Sequence, residues 1–289
     1  MTSSTVALPG SVDVHAHVLD ADRPAVPGAA YEMFPAPFHH YRRHLDQLGI
    51  DCGVLVTASI HGTDNEPMLR ALAQDPSRLR GVAVIDSSVS DDELLRLHRR
   101  GVRGVRLQNR MNGGVALSQL PSIADRIAEL GWHIELMTDL VDVLEDVVPL
   151  IARSPVPVVL DHFGFLPADI APRSRKIDTM VGLARDLRVW ITMSGAYRLA
   201  PHVSPADSGK ALHARVEVLA EAVPDRLLWA SDWPYVAPPG LPPTAEEQAA
   251  ELRLWLSDTA LRNQILVTNP RDCYSFADHA PGHASLSAN

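Results

Sequence analysis

Cysteine is nearly absent from this chain: Cys52 and Cys273 are the only two, and they lie far apart in the sequence. That excludes a disulfide framework and fits a reducing, cytoplasmic setting. Positive charge is also short. Lysine plus arginine number 26 against 35 aspartate plus glutamate, for a formal net charge of -9. This argues against nucleic acid or an anionic membrane as partner, since both call for a basic surface. No apolar run approaches membrane-spanning length. Residues 1–10 carry neither the basic region nor the apolar segment of a secretion signal. The expectation is a soluble protein with a small-molecule partner, a monomer or a homo-dimer. An anionic ligand would have to be held by local arginines against the global field.

What is present is an ordinary supply of core-forming residues. Hydrophobic residues make up 46% of 289 and charged residues 21%, enough for one large barrel or two medium domains. Short apolar, β-branched runs recur at even spacing: Val12 to Ala16, Val54 to Thr57, Val82 to Ile85, Val102 to Leu107, His133 to Met137, Val156 to Leu160, Val189 to Met193 and Leu227 to Ala230. Amphipathic stretches lie between them, such as Tyr41 to Leu48, Glu93 to Arg100 and Ile123 to Leu130, each followed by a glycine suited to ending a helix. Continuous apolar strands alternating with helices imply a parallel sheet buried on both faces. Eight such units predict an α/β fold, a (β/α)8 TIM barrel in a single domain. The first strand is followed by no glycine-rich turn of the dinucleotide-binding kind, which counts against an open sheet. Residues 1–276 are assigned to the barrel and 277–289 to a small, polar tail expected to fray.

The chemistry is organised around Val12-Asp13-Val14-His15-Ala16-His17. Simple alternation places Val12 and Val14 on one face, with Asp13, His15 and His17 on the other. Two imidazoles aimed into one volume suit metal ligation or electrophilic catalysis. Polar residues recur at nearly every other strand end, where burial is costly without a partner or a task. They are Ser59 after the second strand; Arg106, then Asn109 and Arg110, on the fourth; and His133 and Glu135 on the fifth. Asp161-His162 ends the sixth, Ser194 to Arg198 follows the seventh, and Ser231-Asp232 closes the eighth. His133 begins its strand and is assigned to the far end of the barrel. Asp161 is expected to point away from His162, as a brace. His61 and His202, in loops, are set aside. The remaining constellation is His15, His17, His162 and Asp232. The long connections Asp20 to Phe38, Ala196 to Gly209 and Trp233 to Thr244 follow strands, so they are candidate lids over the site.

At this point the chain resembles the amidohydrolase superfamily, of the amidohydrolase-2 type that contains the pyrone dicarboxylate lactonases. The likeness is carried by Asp13-Val14-His15-Ala16-His17, Gly104-Val105-Arg106, Leu160-Asp161-His162-Phe163-Gly164, Ser194-Gly195-Ala196-Tyr197-Arg198 and Leu228 to Pro234, with Asn269-Pro270, Tyr274 and Phe276 as a closing segment. The resemblance implies a hydrolase of a small carboxylated lactone or similar cyclic ester. In it Asp232 would activate water, and His15, His17 and His162 would polarise the carbonyl. Arg106, Arg198 and Ser59 would bind substrate. It implies no metal cofactor in the lactonase branch. The alternative is a zinc-dependent hydrolase or decarboxylase holding one divalent ion through His15, His17, His162 and Asp232, with Glu135 as a further candidate ligand. The alternative from another class is a non-catalytic barrel that binds a carboxylate. Lys176 and Lys210 lie outside the strands, so neither suits the carboxylated lysine of two-metal relatives. Beyond Arg106 the chain departs from the dicarboxylate pattern, with Arg110 and then Met111-Asn112-Gly113-Gly114, which puts a second substrate carboxylate in doubt.

Overall fold

A computed structural model describes residues 8–236, 238 and 241–276; the proposed tail, 277–289, lies outside the described residues. Eight parallel strands pair in sequence order: β1 (Val12–Ala16), β2 (Cys52–Val56), β3 (Leu79–Ala83), β4 (Val102–Gln108), β5 (His133–Met137), β6 (Val158–Leu160), β7 (Trp190–Met193) and β8 (Leu227–Trp229). The seam between β8 and β1 is closed by an Ala16–Trp233 bridge. Across it Asp232 N donates to His15 O at 3.0 Å, and His17 N donates to Trp233 O at 2.7 Å. The result is the (β/α)8 barrel that the strand spacing predicts.

Helices cover the strands: α1 (Phe38–Leu48), α2 (Glu66–Leu72), α3 (Asp91–Arg99), α4 (Leu120–Ile127), α5 (Leu140–Ala152), α6 (Arg175–Asp186), α7 (Ala196–Leu199), α8 (Pro205–Ala222), α9 (Ala245–Trp255), α10 (Thr259–Asn263) and α11 (Asn269–Tyr274). Local chemistry sets several ends. Gly49 adopts φ 74° after α1, a conformation without steric cost for glycine. Ser90 accepts from Glu93 N to start α3, and Thr244 with Glu247 forms a capping box on α9. Among the described residues no helix is long and apolar enough to cross a membrane.

Two apolar layers result. Leu45, Leu55, Leu97, Val105, Leu136 and Leu160 belong to the layer between sheet and helices. Val12, Val14, Val54, Val56, Val159 and Leu228 fill the barrel interior with Tyr274. Simple alternation along β1 therefore fails. The register slips between Asp13 and Ala16, which pair with Gly53 and Leu55; three residues on β1 span two on β2. This bulge leaves Asp13 facing outward to Tyr41 on α1, while both Val14 and His15 turn inward. The connection 196–209 is also not an open loop, since it contains α7 and the first turn of α8.

Candidate active site

The bulge is what brings β1 to bear on the site. It points His15 at the centre of the barrel, with its ring 4.9 Å from that of His17 and 4.9 Å from that of His162. A second irregularity positions β6. His162, Phe163, Gly164 and Phe165 all take φ between 50° and 59°, a left-handed turn that L residues seldom adopt. It overturns the expectation that Asp161 and His162 diverge. Asp161 Oδ1 lies 3.5 Å from His15 Nδ1, so both neighbours reach the same imidazole. Asp232 likewise leaves β8 at φ 59°, and its carboxylate enters the same space.

Asp232 is held asymmetrically. Its Oδ2 accepts from the Tyr197 hydroxyl at 2.7 Å and from Arg198 Nε at 2.8 Å. Its Oδ1 has no hydrogen-bond partner and lies 4.0 Å from His17 Nε2 and 3.9 Å from His162 Nε2. Those two nitrogens are oriented from behind. His17 Nδ1 donates to Val56 O at 2.8 Å, and His162 Nδ1 bonds Ser194 Oγ at 2.7 Å. Ser194 thus steers an imidazole rather than the backbone.

Below this group His15 Nδ1 meets Asp161 and, at 3.7 Å, Glu135 Oε2. Glu135 Oε1 accepts from the Tyr274 hydroxyl at 3.0 Å. His133 stands at the floor, with its ring 4.7 Å from Tyr274. Arg106, fully buried, donates through Nη2 to Thr57 O at 2.6 Å and to Ser59 Oγ at 3.4 Å. It does not form the direct pair with Glu135 that their adjacent positions on β4 and β5 would allow.

Burial and charge set opposite fates for the three imidazoles. Burial disfavours the His15 cation, yet Asp161 and Glu135 more than offset it, raising its pKa to about 9. Burial, then the charges of His15 and Arg106, holds His17 well below the ordinary histidine value. Burial likewise lowers His162 to about 4. For Asp232, burial favours the acid but is overcome by Arg198 and the imidazoles, which keep its carboxyl below the usual carboxylate range.

The donor set also fits a divalent ion. His15, His162 and Asp232 offer ligand atoms within 4.8 Å of one another, as do His15, Glu135 and Asp161. His15 Nε2 and Asp232 Oδ1 are buried without partners, and nitrogen with carboxylate oxygen suits zinc. The bonds behind His17 and His162 are of the kind that orient ligating imidazoles.

Beside this group lies a cavity of about 760 Å³ that shares Arg198 and Phe165 with it; the Phe165 ring packs against His162 at 5.1 Å. His202, set aside from the sequence, lines this cavity. Tyr31, from the first long connection, has a buried hydroxyl without a partner and feels Arg106, Arg198 and Asp232. The contributions of Tyr31, Tyr197 and Asp161 were not anticipated. The Pro-rich connection before Phe38 is the sequence signal for the first; the other two lie in the motifs Leu160 to Gly164 and Ser194 to Arg198, but their direction depends on left-handed backbone turns at His162 and Gly195 that no periodicity marks.

The amidohydrolase family profile matches residues 12–276. The chain is 34% identical over 271 residues to a 4-sulfomuconolactone hydrolase of Rhizobium radiobacter, covering 90% of this chain and 88% of that protein. It is 32% identical over 278 residues to a 2-pyrone-4,6-dicarboxylate hydrolase of Comamonas testosteroni, with 92% and 90% coverage. A solved structure from Acinetobacter baumannii, a probable 2-pyrone-4,6-dicarboxylic acid hydrolase with citric acid bound, superposes with a TM-score of 0.81 at 28% identity over 92% of this chain and all of that one. The chain belongs to the amidohydrolase family and is a hydrolase of that superfamily.

Proposed function

We propose that this protein hydrolyses a small carboxylated lactone or similar cyclic ester. The observation that carries the reading is the divided environment of Asp232. One carboxylate oxygen is fixed by Tyr197 and Arg198, and the other is unpartnered and faced by two oriented imidazoles. In this reading Oδ1 takes the proton of a water as that water attacks the lactone carbonyl, then passes it to the departing ring oxygen. His15, kept cationic by its two carboxylates, donates to the carbonyl oxygen as negative charge develops there. One such donor supplies about 3–4 kcal/mol of transition-state stabilisation. His17 and His162, kept neutral, orient the water. Arg106 with Ser59, and the outer edge of Arg198, hold the carboxylate, since a guanidinium matches it with paired hydrogen bonds.

If a zinc ion is bound, His15, His162 and Asp232, whose ligand atoms lie together, would hold it, with His17, which stands outside that group, and Glu135, which groups instead with His15 and Asp161, as further candidates, and the ion would supply acidification of the attacking water. The small-molecule substrate and the cytoplasmic setting, supported by two buried free thiols, belong to the same proposal. The test is a screen of carboxylated lactones by ring-opening acid release, with metal content measured on protein purified without chelator. Turnover of at least one lactone, lost in Asp232→Asn, is expected. Turnover by Asp232→Asn above a tenth of the parent rate would remove Asp232 from the chemistry.

A further inference from the structure

The cavity beside Arg198 is larger and more apolar than a carboxylated lactone ring requires. At about 30 Å³ per water, its roughly 760 Å³ corresponds to about 25 water volumes, which is within the range of pockets that enclose drug-sized molecules. Its walls include Met111, Phe165, Leu199, Ala200 and Val203. Val203 is 45% exposed, one of the few large apolar side chains left open to solvent among the described residues.

The charged groups at the same wall are already committed. Arg110 pairs with Asp139 at 3.1 Å and stacks on the Phe165 ring at 4.0 Å. Asp169 adds a further carboxylate to the lining. A second acidic group on the substrate would therefore meet carboxylates and an arginine whose charge is offset. A pyrone dicarboxylate, the substrate named for one relative, carries two carboxylates, and this wall is poorly matched to the second.

We infer that the substrate's carboxylate, held between Arg106 with Ser59 and the outer edge of Arg198, is joined to an apolar arm of alkyl or aryl character that lies in the cavity against Phe165, Ala200 and Val203, with no second anionic group on that arm. The inference deepens the lactone reading and rests on it for the reaction. The subsite itself can be tested without turnover.

The probes are straight-chain monocarboxylates from butanoate to decanoate, titrated into the intact protein by calorimetry, with dicarboxylates of matched length alongside. Each methylene that enters the cavity is expected to tighten Kd about fourfold, with an increasingly negative heat-capacity change. Ala200→Trp, which fills the cavity, and Val203→Asp, which charges its rim, are each expected to flatten that dependence. Val203 is exposed, so the second variant is informative if the first does not fold. In parallel, carboxylated lactones with alkyl arms of rising length are assayed for hydrolysis, where kcat/KM should climb with the arm. A chain-length gradient in binding without hydrolysis of any lactone would support the subsite and sink the lactone reading alone. Kd independent of chain length would overturn the inference, as would a gradient untouched by both variants. So would dicarboxylates binding tenfold tighter than matched monocarboxylates, because the cavity would then hold a second anionic group where the inference places an apolar arm.

Discussion

At the scale of single residues, the two oxygens of Asp232 have different work. Oδ2 is spent on Tyr197 and Arg198, and only Oδ1 faces the imidazoles. Asp232→Asn keeps the size of the side chain but removes the charge. Turnover should fall below a hundredth of the parent value, while the far-ultraviolet circular dichroism stays unchanged. Arg198 is the more instructive case. From the sequence it reads as a substrate clamp whose loss raises KM. The structure adds a second duty, because its Nε holds Asp232 in place. Arg198→Met should therefore raise KM for a carboxylated lactone about tenfold, since a hydrogen bond to a charged group contributes about 1.5–3 kcal/mol, and should also lower kcat. A rise in KM with kcat unchanged would show that Tyr197 alone suffices to hold Asp232. A neutral lactone of the same shape separates the two duties: it should lose kcat and keep its KM.

At the scale of elements, the order of strands and helices is legible because burial on both faces writes short apolar runs into β2, β6, β7 and β8, and apolar residues interrupted by Arg, His or Glu into β3 to β5. The amphipathic helices between them are ended by glycine where the chain must reverse, as at Gly49. The direction of the side chains was legible only where strands are regular. The bulge in β1 and the left-handed turn at His162 to Phe165 are tertiary solutions. Each left-handed L residue costs about 1–2 kcal/mol, recovered by packing such as Phe163 against Trp255 and Arg215. No periodicity announces such a trade, and so Asp161 was misdirected while His162 was placed with the other imidazoles.

The contact between α1 and α9 makes a separate prediction. His44 on α1 bonds Gln248 on α9 at 3.0 Å, and Gln248 donates to Ser231 O at 2.6 Å, next to Asp232. Burial lowers the His44 pKa to about 4. The folded protein thus binds fewer protons than the unfolded chain between about pH 6.5 and pH 4. The stability that His44 contributes is complete above the unfolded pKa and declines as pH falls through this window, by at most about 3 kcal/mol. His44→Gln has no proton to gain. Denaturant melts at pH 7 and pH 4.5 should show a smaller acid loss for the variant than for the parent. Equal losses would mean that His44 takes up its proton as readily in the folded state as in the unfolded chain.

At the scale of the whole molecule, the barrel is closed at both ends by the same economy of means. The mouth holds the imidazoles and Asp232, and the floor is plugged by the end of the barrel sequence. Asn269 Nδ2 donates to Leu227 O at 2.7 Å and to Pro224 O at 2.8 Å, which pins α11 to the start of β8. This places Tyr274 inside the interior cluster, with its ring against His133 and its hydroxyl on Glu135. Glu135 in turn faces His15, so the plug is one residue removed from the chemistry. Tyr274→Phe keeps the ring and removes the donor, leaving Glu135 Oε1 buried without its partner. The expected cost is about 1–3 kcal/mol, or about 2–5 °C in Tm for a chain of this size. Tyr274→Ala also opens a void and should cost about 3–5 kcal/mol. If the floor is purely structural, kcat of Tyr274→Phe measured well below its melting temperature stays within twofold of the parent. A tenfold fall in kcat at that temperature, with the variant still folded, would instead show that the Tyr274–Glu135 pair sets the charge of His15.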